Sequence, residues 1–555
     1  MDHPDDFTQY YASLLEGTYD CVDRIVLNAY FSRGQSPGGF RSWWREWAGS
    51  DDGLDTEHLM RFAGRFSRRL RAWAAAHGVP VIDCNSGERK HELAEAHLPP
   101  DPAFVGVFLI QVSRGPALVW DVRRFGQGGL DLRRKAPWPY VKHYSFHIID
   151  PDWGHLTMRL SGHPPFGALI MLNGHEWVER RARQRQLPVT KEGNCFTHTT
   201  DVSALAEVAD ALTAPTAIGR LAEVCDRWIY SACLCFGLSQ DDQERSGFRY
   251  DYSAYQVEYS RNLCFQRGGE LDQVYQGMIE RTRTHLDLRT LVTLFGRKHR
   301  PHRRAPRAAT GEDRPPAQVQ LEKPTYDLTV FKVHFGALTL KVYDKGERVL
   351  RFEAIVHNAR GLPCRRALAF LPEMVALLRK LLERFLNILY STDRAFLDAG
   401  ALDALPQPSE LGQQRVAGID LNQARIRTVL AAVLALAPNG QGFRVADLAT
   451  KVRDLSGTAA PAYGARQAAY DLRKLRGKAL VEPVGRSRRY LATAQGCRTM
   501  AGILILRERV IKPVLAGAGK PHPGPRPKRQ GPLDAHYQRL QAEMRATFAT
   551  LGLAV

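Results

Sequence analysis

Apolar patterning along the 555 residues predicts an α+β, multidomain protein. The run from His143 to Trp177 alternates as strands do and then opens into a basic helix, a β-turn-β-β-helix order. Residues 337–357, ALTLKVYDKGERVLRFEAIVH, read as two strands around a turn at Asp344–Glu347. From Ile426 to Tyr490 the pattern changes to three short helices followed by a basic hairpin.

The first domain is expected over residues 1–137 as an α/β unit, with strands at Asp23–Tyr30, Val79–Asp83 and Phe104–Val112. Between them the helix Glu57–Ala75 puts Leu59, Phe62, Phe66, Leu70 and Trp73 on one face. Arg61, Arg65 and Arg68 fall on the other face, either as a solvated stripe or as a track for phosphates. An α+β domain follows over 138–297, with the strands HYSFHIID and HLTMRLSG joined by the turn PDWG. ALIMLNGHEW then leads into a basic helix start at Glu179–Gln186, and long helical stretches follow at Ala204–Gly237 and Glu270–Leu286. The tyrosine-rich DYSAYQVEYSRNLCF, read as a helix, would bring Tyr252, Tyr255 and Tyr259 together, more simply as core than as a base-stacking stripe. Residues 298–318 are rich in proline and arginine and poor in large apolar side chains, so they read as an exposed basic linker. The hairpin and helices at Arg366–Asp398 make a unit at 319–401, a recognition unit occupies 420–492, and C-terminal helices with a basic tail close the chain at 493–555.

The formal charge of +19 favours an anionic polymer as partner, DNA first and RNA as an open alternative. No apolar run approaches the ~20 residues needed to span a bilayer, so no membrane is expected. The acidic start MDHPDDF lacks a secretory pattern, and nine scattered cysteines suit reduced thiols, so a cytoplasmic location is expected. Cys233 and Cys235 form a CxC pair rather than the CxxC of a zinc knuckle.

The third helix of the C-terminal group carries the sharpest signal. Ala465, Ala468, Ala469, Leu472, Leu475 and Ala479 are expected on one face, with Arg466, Gln467, Tyr470, Arg473 and Lys474 opposite. A small-residue face lets a helix sit close to its neighbours while long cations reach a major groove. Gly485 permits a turn between two short strands, where Arg486, Arg488 and Arg489 would hold phosphate or the minor groove. The whole stretch resembles a winged helix-turn-helix.

Two other regions could carry chemistry. In the central hairpin, alternation makes Leu340, Val342, Leu350, Phe352, Ala354 and Val356 the apolar set. It leaves Lys341, Tyr343, Arg351 and Glu353 on the polar face, either as an open platform for phosphate and base stacking or as a cross-strand ion-pair face. Five histidines lie within His143–His175. His143, His147, Asp150, His155 and His175, with Glu353 as a further ligand, could hold Mg or Mn for phosphodiester cleavage; as independent structural histidines they would have no such role. His175-Glu176 is not an HExxH zinc motif, because the second histidine is missing. No GxxxxGK[ST] loop is present, which argues against an ATP-driven motor.

KVYDKGERVLRFE resembles the K-x-Y-D-K…L-R-x-E stretch of phage and plasmid replication initiators. Those enzymes join a metal-holding His-hydrophobic-His pair to a nucleophilic tyrosine. No such triplet occurs here, so Tyr343 is not assigned as a nucleophile. The order YDCVDRIVLNAYF, LNGHEW, QVEYSRNL, KVYDKGERVLRFE and a C-terminal winged helix resembles a widespread family of uncharacterised bacterial proteins. The expected function is nucleic-acid binding of mobile-element or replication type. The alternatives are a metal-dependent nuclease or strand-transfer enzyme and a winged-helix transcription regulator.

Overall fold

The computed structural model describes residues 5–85, 88–125, 129–285, 318–322, 330–335, 338–393, 399–456, 463–507 and single positions between 535 and 546. The expected linker at 298–318 and most of the basic tail lie outside the described residues. The fold is α+β, with helices around a mixed sheet. Two compact units are present: one is Tyr11–Tyr275 with Gln320–Leu382, and the other takes the described parts of Met1–Tyr10, Gln276–Val319 and Glu383–Val555. Among the described residues no helix is long and apolar enough to cross a membrane.

The larger unit is organised by one sheet. Its strands begin with β1 (Leu15–Tyr30), β2 (Val81–Asp83) and β3 (Gly106–Pro116), then a separate hairpin of β4 (Trp120–Arg124) and β5 (Leu130–Arg134). There follow β6 (Tyr140–Asp150), β7 (Gly154–Ser161) and β8 (Ala168–Asn173), and a second small hairpin of β9 (Val189–Lys191) and β10 (Phe196–Thr199). The last are β11 (Asp251–Phe265), β12 (Gln318–Glu322), β13 (Val330–Phe335), β14 (Leu338–Lys345) and β15 (Val349–Val356). Eleven of these join in the order β12-β13-β14-β15-β11-β1-β8-β7-β6-β3-β2. The expected boundary at 137/138 falls inside this sheet, and so do strands from both sides of the linker. β2 and β3 pair in parallel, whereas β6 to β8 and β1, β11, β15 and β14 pair antiparallel.

The segment Asp251–Phe265 is a strand, not a helix. It lies between β1 and β15, where β-branched and aromatic side chains fit a pleated, covered surface. Its tyrosines therefore separate. Tyr252 donates to Asp226 Oδ1 at 2.5 Å, Tyr259 donates to Asp20 Oδ2 at 2.6 Å, and Tyr255 is exposed. The helical stretch expected at Ala204–Gly237 is broken into Val202–Asp210 and Pro215–Trp228, with Pro215 at a helix start, where its missing N–H costs nothing.

The helix Thr56–Ala76 starts on Asp55, which accepts from the His58 N–H at 2.6 Å. Its buried stripe keeps Leu59, Phe62, Phe66 and Leu70 of the expected face and ends on Ala74, while Trp73 is half-buried. Phe66 stacks on Tyr144 of β6 with ring centroids 4.9 Å apart, and Phe146 stacks on Phe236. On β6, Tyr144 and Phe146 thus face this aromatic layer. Strand alternation turns His143, Ser145 and His147 to the opposite face.

In the other unit, Ala424–Leu436, Val445–Ser456 and Ala465–Gly477 are three helices, followed by a hairpin of β18 (Val481–Pro483) and β19 (Tyr490–Ala492) and by the helix Ala494–Ile505. A shorter hairpin, β16 (Ser409–Leu411) with β17 (Gln414–Val416), precedes them. Val429, Leu430, Val433, Leu448, Val452, Leu472, Leu475 and Met500 form a common core. Tyr490 and Phe443 exchange two backbone hydrogen bonds of 2.8 and 2.9 Å, which adds a third extended segment beside the hairpin.

Candidate nucleic-acid interface and a buried polar network

The helix Ala465–Gly477 packs through Ala468, Asp471, Leu472, Lys474 and Leu475. This inner face is rotated from the expected one, and Ala465, Ala469 and Ala479 are exposed. The rotation is fixed by a buried polar anchor. Asp471 accepts from the Tyr463 hydroxyl at 2.9 Å and from Arg425 at 3.2 Å. Lys474 is buried with it and lies 4.9 Å from the Tyr470 ring centroid, so it is not an outward cation. Arg466, Gln467, Tyr470 and Arg473 are exposed, as expected. Gln467 also accepts from the backbone N–H of Gly464 at 3.2 Å, a helix-start contact. In the hairpin, Gly485 takes a positive φ of 51° at the turn, and Arg486 and Arg488 are exposed. Arg489 is half-buried and donates to the Gly442 carbonyl at 2.9 Å, which commits it to the fold.

In the larger unit, the polar face of β14 and β15 is not an open platform. Glu353 accepts from Tyr343 at 2.6 Å, from Lys341 at 3.1 Å and from Arg351 Nε at 2.9 Å. Arg351 is fully buried; it also donates to Asn262 at 2.8 Å and to Asp23 at 2.6 Å. A cross-strand ion-pair network therefore occupies this face, and Arg351 is not available to a nucleic acid. Asp23 reaches the network because β1 carries one extra residue between Val22 and Ile25 relative to β11. The bulge turns Asp23 inward and Arg24 outward. Ser260 donates to Asp23 at 2.8 Å.

One guanidinium thus serves two buried carboxylates, and burial works against ionisation at both. At Glu353, Arg351 and Lys341 outweigh burial and hold the carboxyl down at about 2. At Asp23, burial prevails over Arg351, with Glu353 adding to it, and the carboxyl is pushed up to about 7.

His175 joins this cluster, with Nδ1 3.3 Å from Asp23 Oδ1. It is placed by the start of the helix Gly174–Gln184, where Asn173 accepts from the His175 backbone N–H at 3.0 Å. Gly174 is required there: an added Cβ would lie 1.8 Å from the Val22 carbonyl oxygen. Cys21, Asp23 and His175 bring candidate ligand atoms within 4.8 Å of one another. The residues do not fit a divalent ion. Arg351 already supplies the countercharge on Asp23, donating to its Oδ2 at 2.6 Å, and Ser260 donates to its Oδ1 at 2.8 Å, so both carboxylate oxygens are engaged within the protein.

The other candidate histidines disperse. His147 Nδ1 lies 3.1 Å from His155 Nε2, across the β6–β7 pair. His163 binds the Pro164 carbonyl at 2.7 Å, and His143 lies elsewhere on β6. Asp150 projects from the opposite side of β6, where it accepts from Trp228 Nε1 at 2.7 Å and from the backbone N–H groups of Asp152 and Trp153. His143, His147, Asp150, His155, His175 and Glu353 therefore make no single metal site. His147 is held down at about 3 by burial and then by His155, so the pair is a neutral packed feature. Of the helix stripe, Arg61 lies 3.6 Å from Glu57, Arg65 stacks over Phe62 at 4.2 Å and Arg68 is exposed.

No family model, curated protein or solved structure matches this chain. Sequence reading missed Asp23, Ser260 and Asn262. The available signal was a polar residue inside an otherwise apolar strand, as in CVDRIVL and YSRNLCF.

Proposed function

We propose that this chain binds DNA through residues 424–492, an arrangement that corresponds to a winged helix-turn-helix, and that it acts in a mobile-element or replication setting in the cytoplasm. The reading is carried by the third helix. Its inner face is closed by Leu472, Leu475 and the Asp471 anchor, while Arg466, Tyr470 and Arg473 stand in solvent. Arg486 and Arg488 on the hairpin turn supply a second group of exposed cations. Lys474 and Arg489, both engaged internally, are left out of the interface. All nine cysteines are free thiols, which suits a reducing compartment. The scattered histidines lend no support to the nuclease alternative.

Selection of bound duplexes from a random library tests the proposal. Arg466→Ala with Arg473→Ala should relax the selected sequence, since these side chains reach base edges. Arg486→Ala with Arg488→Ala should weaken all duplexes alike and lower the log–log salt slope by about 1.8, two phosphate contacts at ~0.9 each. Equal loss on every sequence from both pairs would defeat the assignment of sequence reading to the third helix.

A further inference from the structure

The larger unit contains a groove of about 830 Å³ on the sheet face opposite the aromatic layer. His143 and Arg159 form part of its floor. Trp138, Arg360, Arg365 and Arg366 belong to its walls and rim, and no aspartate or glutamate is among the described residues that line it. His143 is 8% exposed, and among the described residues neither its Nδ1 nor Arg159 Nε has a hydrogen-bond partner. Gly115 leaves room for both: a Cβ there would stand 2.7 Å from Arg159 Nη2 and 3.3 Å from His143 Nδ1. Trp138, 49% exposed, offers a ring to solvent.

Arg159 stands on this floor with no carboxylate among the described lining residues. Burial, then Arg159, holds His143 down at about 4, so its ring is neutral at pH 7, and burial lowers Arg159. An anion entering the groove would give the Arg159 guanidinium a counterion and its Nε an acceptor. The volume is far larger than one phosphate needs. Several arginines along one groove can take more than one phosphate of a chain, and a free indole face accepts an unpaired base, which a duplex does not present.

We infer that this groove binds a single-stranded stretch of nucleic acid, with phosphates on Arg159, Arg360, Arg365 and Arg366 and a base stacked on Trp138. The inference rests on the nucleic-acid reading above but adds a second site, chemically distinct from the duplex site.

The test is fluorescence anisotropy of the full chain with a labelled oligothymidylate and, separately, a labelled duplex, over a range of salt. Arg360→Ala with Arg365→Ala should weaken single-strand binding and lower its log–log salt slope by about 1.4, two contacts at ~0.7 each. Trp138→Ala should weaken it about tenfold. Neither should move duplex affinity. Unchanged single-strand affinity in both variants overturns the inference, as does an equal loss on the duplex. Displacement of the oligonucleotide by thymidine monophosphate at matched nucleotide concentration also overturns it, since the groove would then be a small-anion pocket. The two readings fail separately. Duplex binding that depends on Arg466 and Arg473, with no effect of the groove variants, removes the groove alone. Groove-dependent single-strand binding without any duplex binding removes the winged-helix reading alone.

Discussion

A carboxylate in the middle of an apolar strand must find its countercharge where it sits, and Asp23 finds it in Arg351, 328 residues along the chain. The same guanidinium supports Glu353, so its loss leaves two buried acids without it. Arg351→Met should destabilise the larger unit by about 3–5 kcal/mol at neutral pH. The pH dependence follows from both acids. The folded pKa of Glu353, about 2, lies below the ordinary 4.5, so its contribution is complete above pH 4.5 and is lost as pH falls through about 2. Removing Arg351 raises both carboxyls, Asp23 from about 7 and Glu353 from about 2, so the gap between wild type and variant in chemical denaturation should narrow as pH falls from neutral through about 2. A gap that stays constant with pH would show that Arg351 acts by packing alone. The polar alternation of Lys341, Tyr343, Arg351 and Glu353 was legible in the sequence, as was their capacity to pair across strands. Their burial was not, because Asp23 and Asn262, which close the network, come from strands distant in the chain.

At the scale of elements, local pattern and tertiary contact divide the credit. The stripe of Thr56–Ala76 and the two strands of the β14–β15 hairpin follow from periodicity, since each has one apolar face to hide. β11 does not follow from local pattern. Its alternation is blurred because a central strand is covered on both faces, and only its neighbours β1 and β15 make it extended. The face of Ala465–Gly477 was misjudged by counting alanines as core, when Asp471, paired with Tyr463 and Arg425, sets the rotation. Asn173 caps the helix that carries His175, and Gly174 lets that helix start close to β1. Gly174→Ala tests that role. The added methyl meets backbone at the Val22 carbonyl and cannot be accommodated by a side-chain rotation, so the helix start must shift. The variant should lose about 1–3 kcal/mol of stability, as overpacking does. Amide exchange should rise in β1 and at the start of Gly174–Gln184. Protection unchanged at both places would contradict the close approach.

For the whole molecule, the α+β class was readable from the alternation of strand and helix periods. The single sheet that unites residues from Leu15 to Val356 was not, because register between distant strands leaves no local trace. That sheet has a consequence for the chain as a polymer. β11 and β15 are matched from Val257↔Val356 to Cys264↔Val349, and one lies before residue 285 while the other lies after residue 318. The strand pairing, rather than the peptide bonds between those positions, would then hold the halves in place. Two polypeptides, residues 1–285 and 318–555, should find each other when made in one cell and purify together through a tag on either. Charge reversal at Arg351 (Arg351→Glu) should abolish the pairing by placing a third acid beside Asp23 and Glu353, and a pair that survives it would have to be held by contacts elsewhere. The protein would in that case be a molecule with a natural seam, able to be closed by two chains as well as by one.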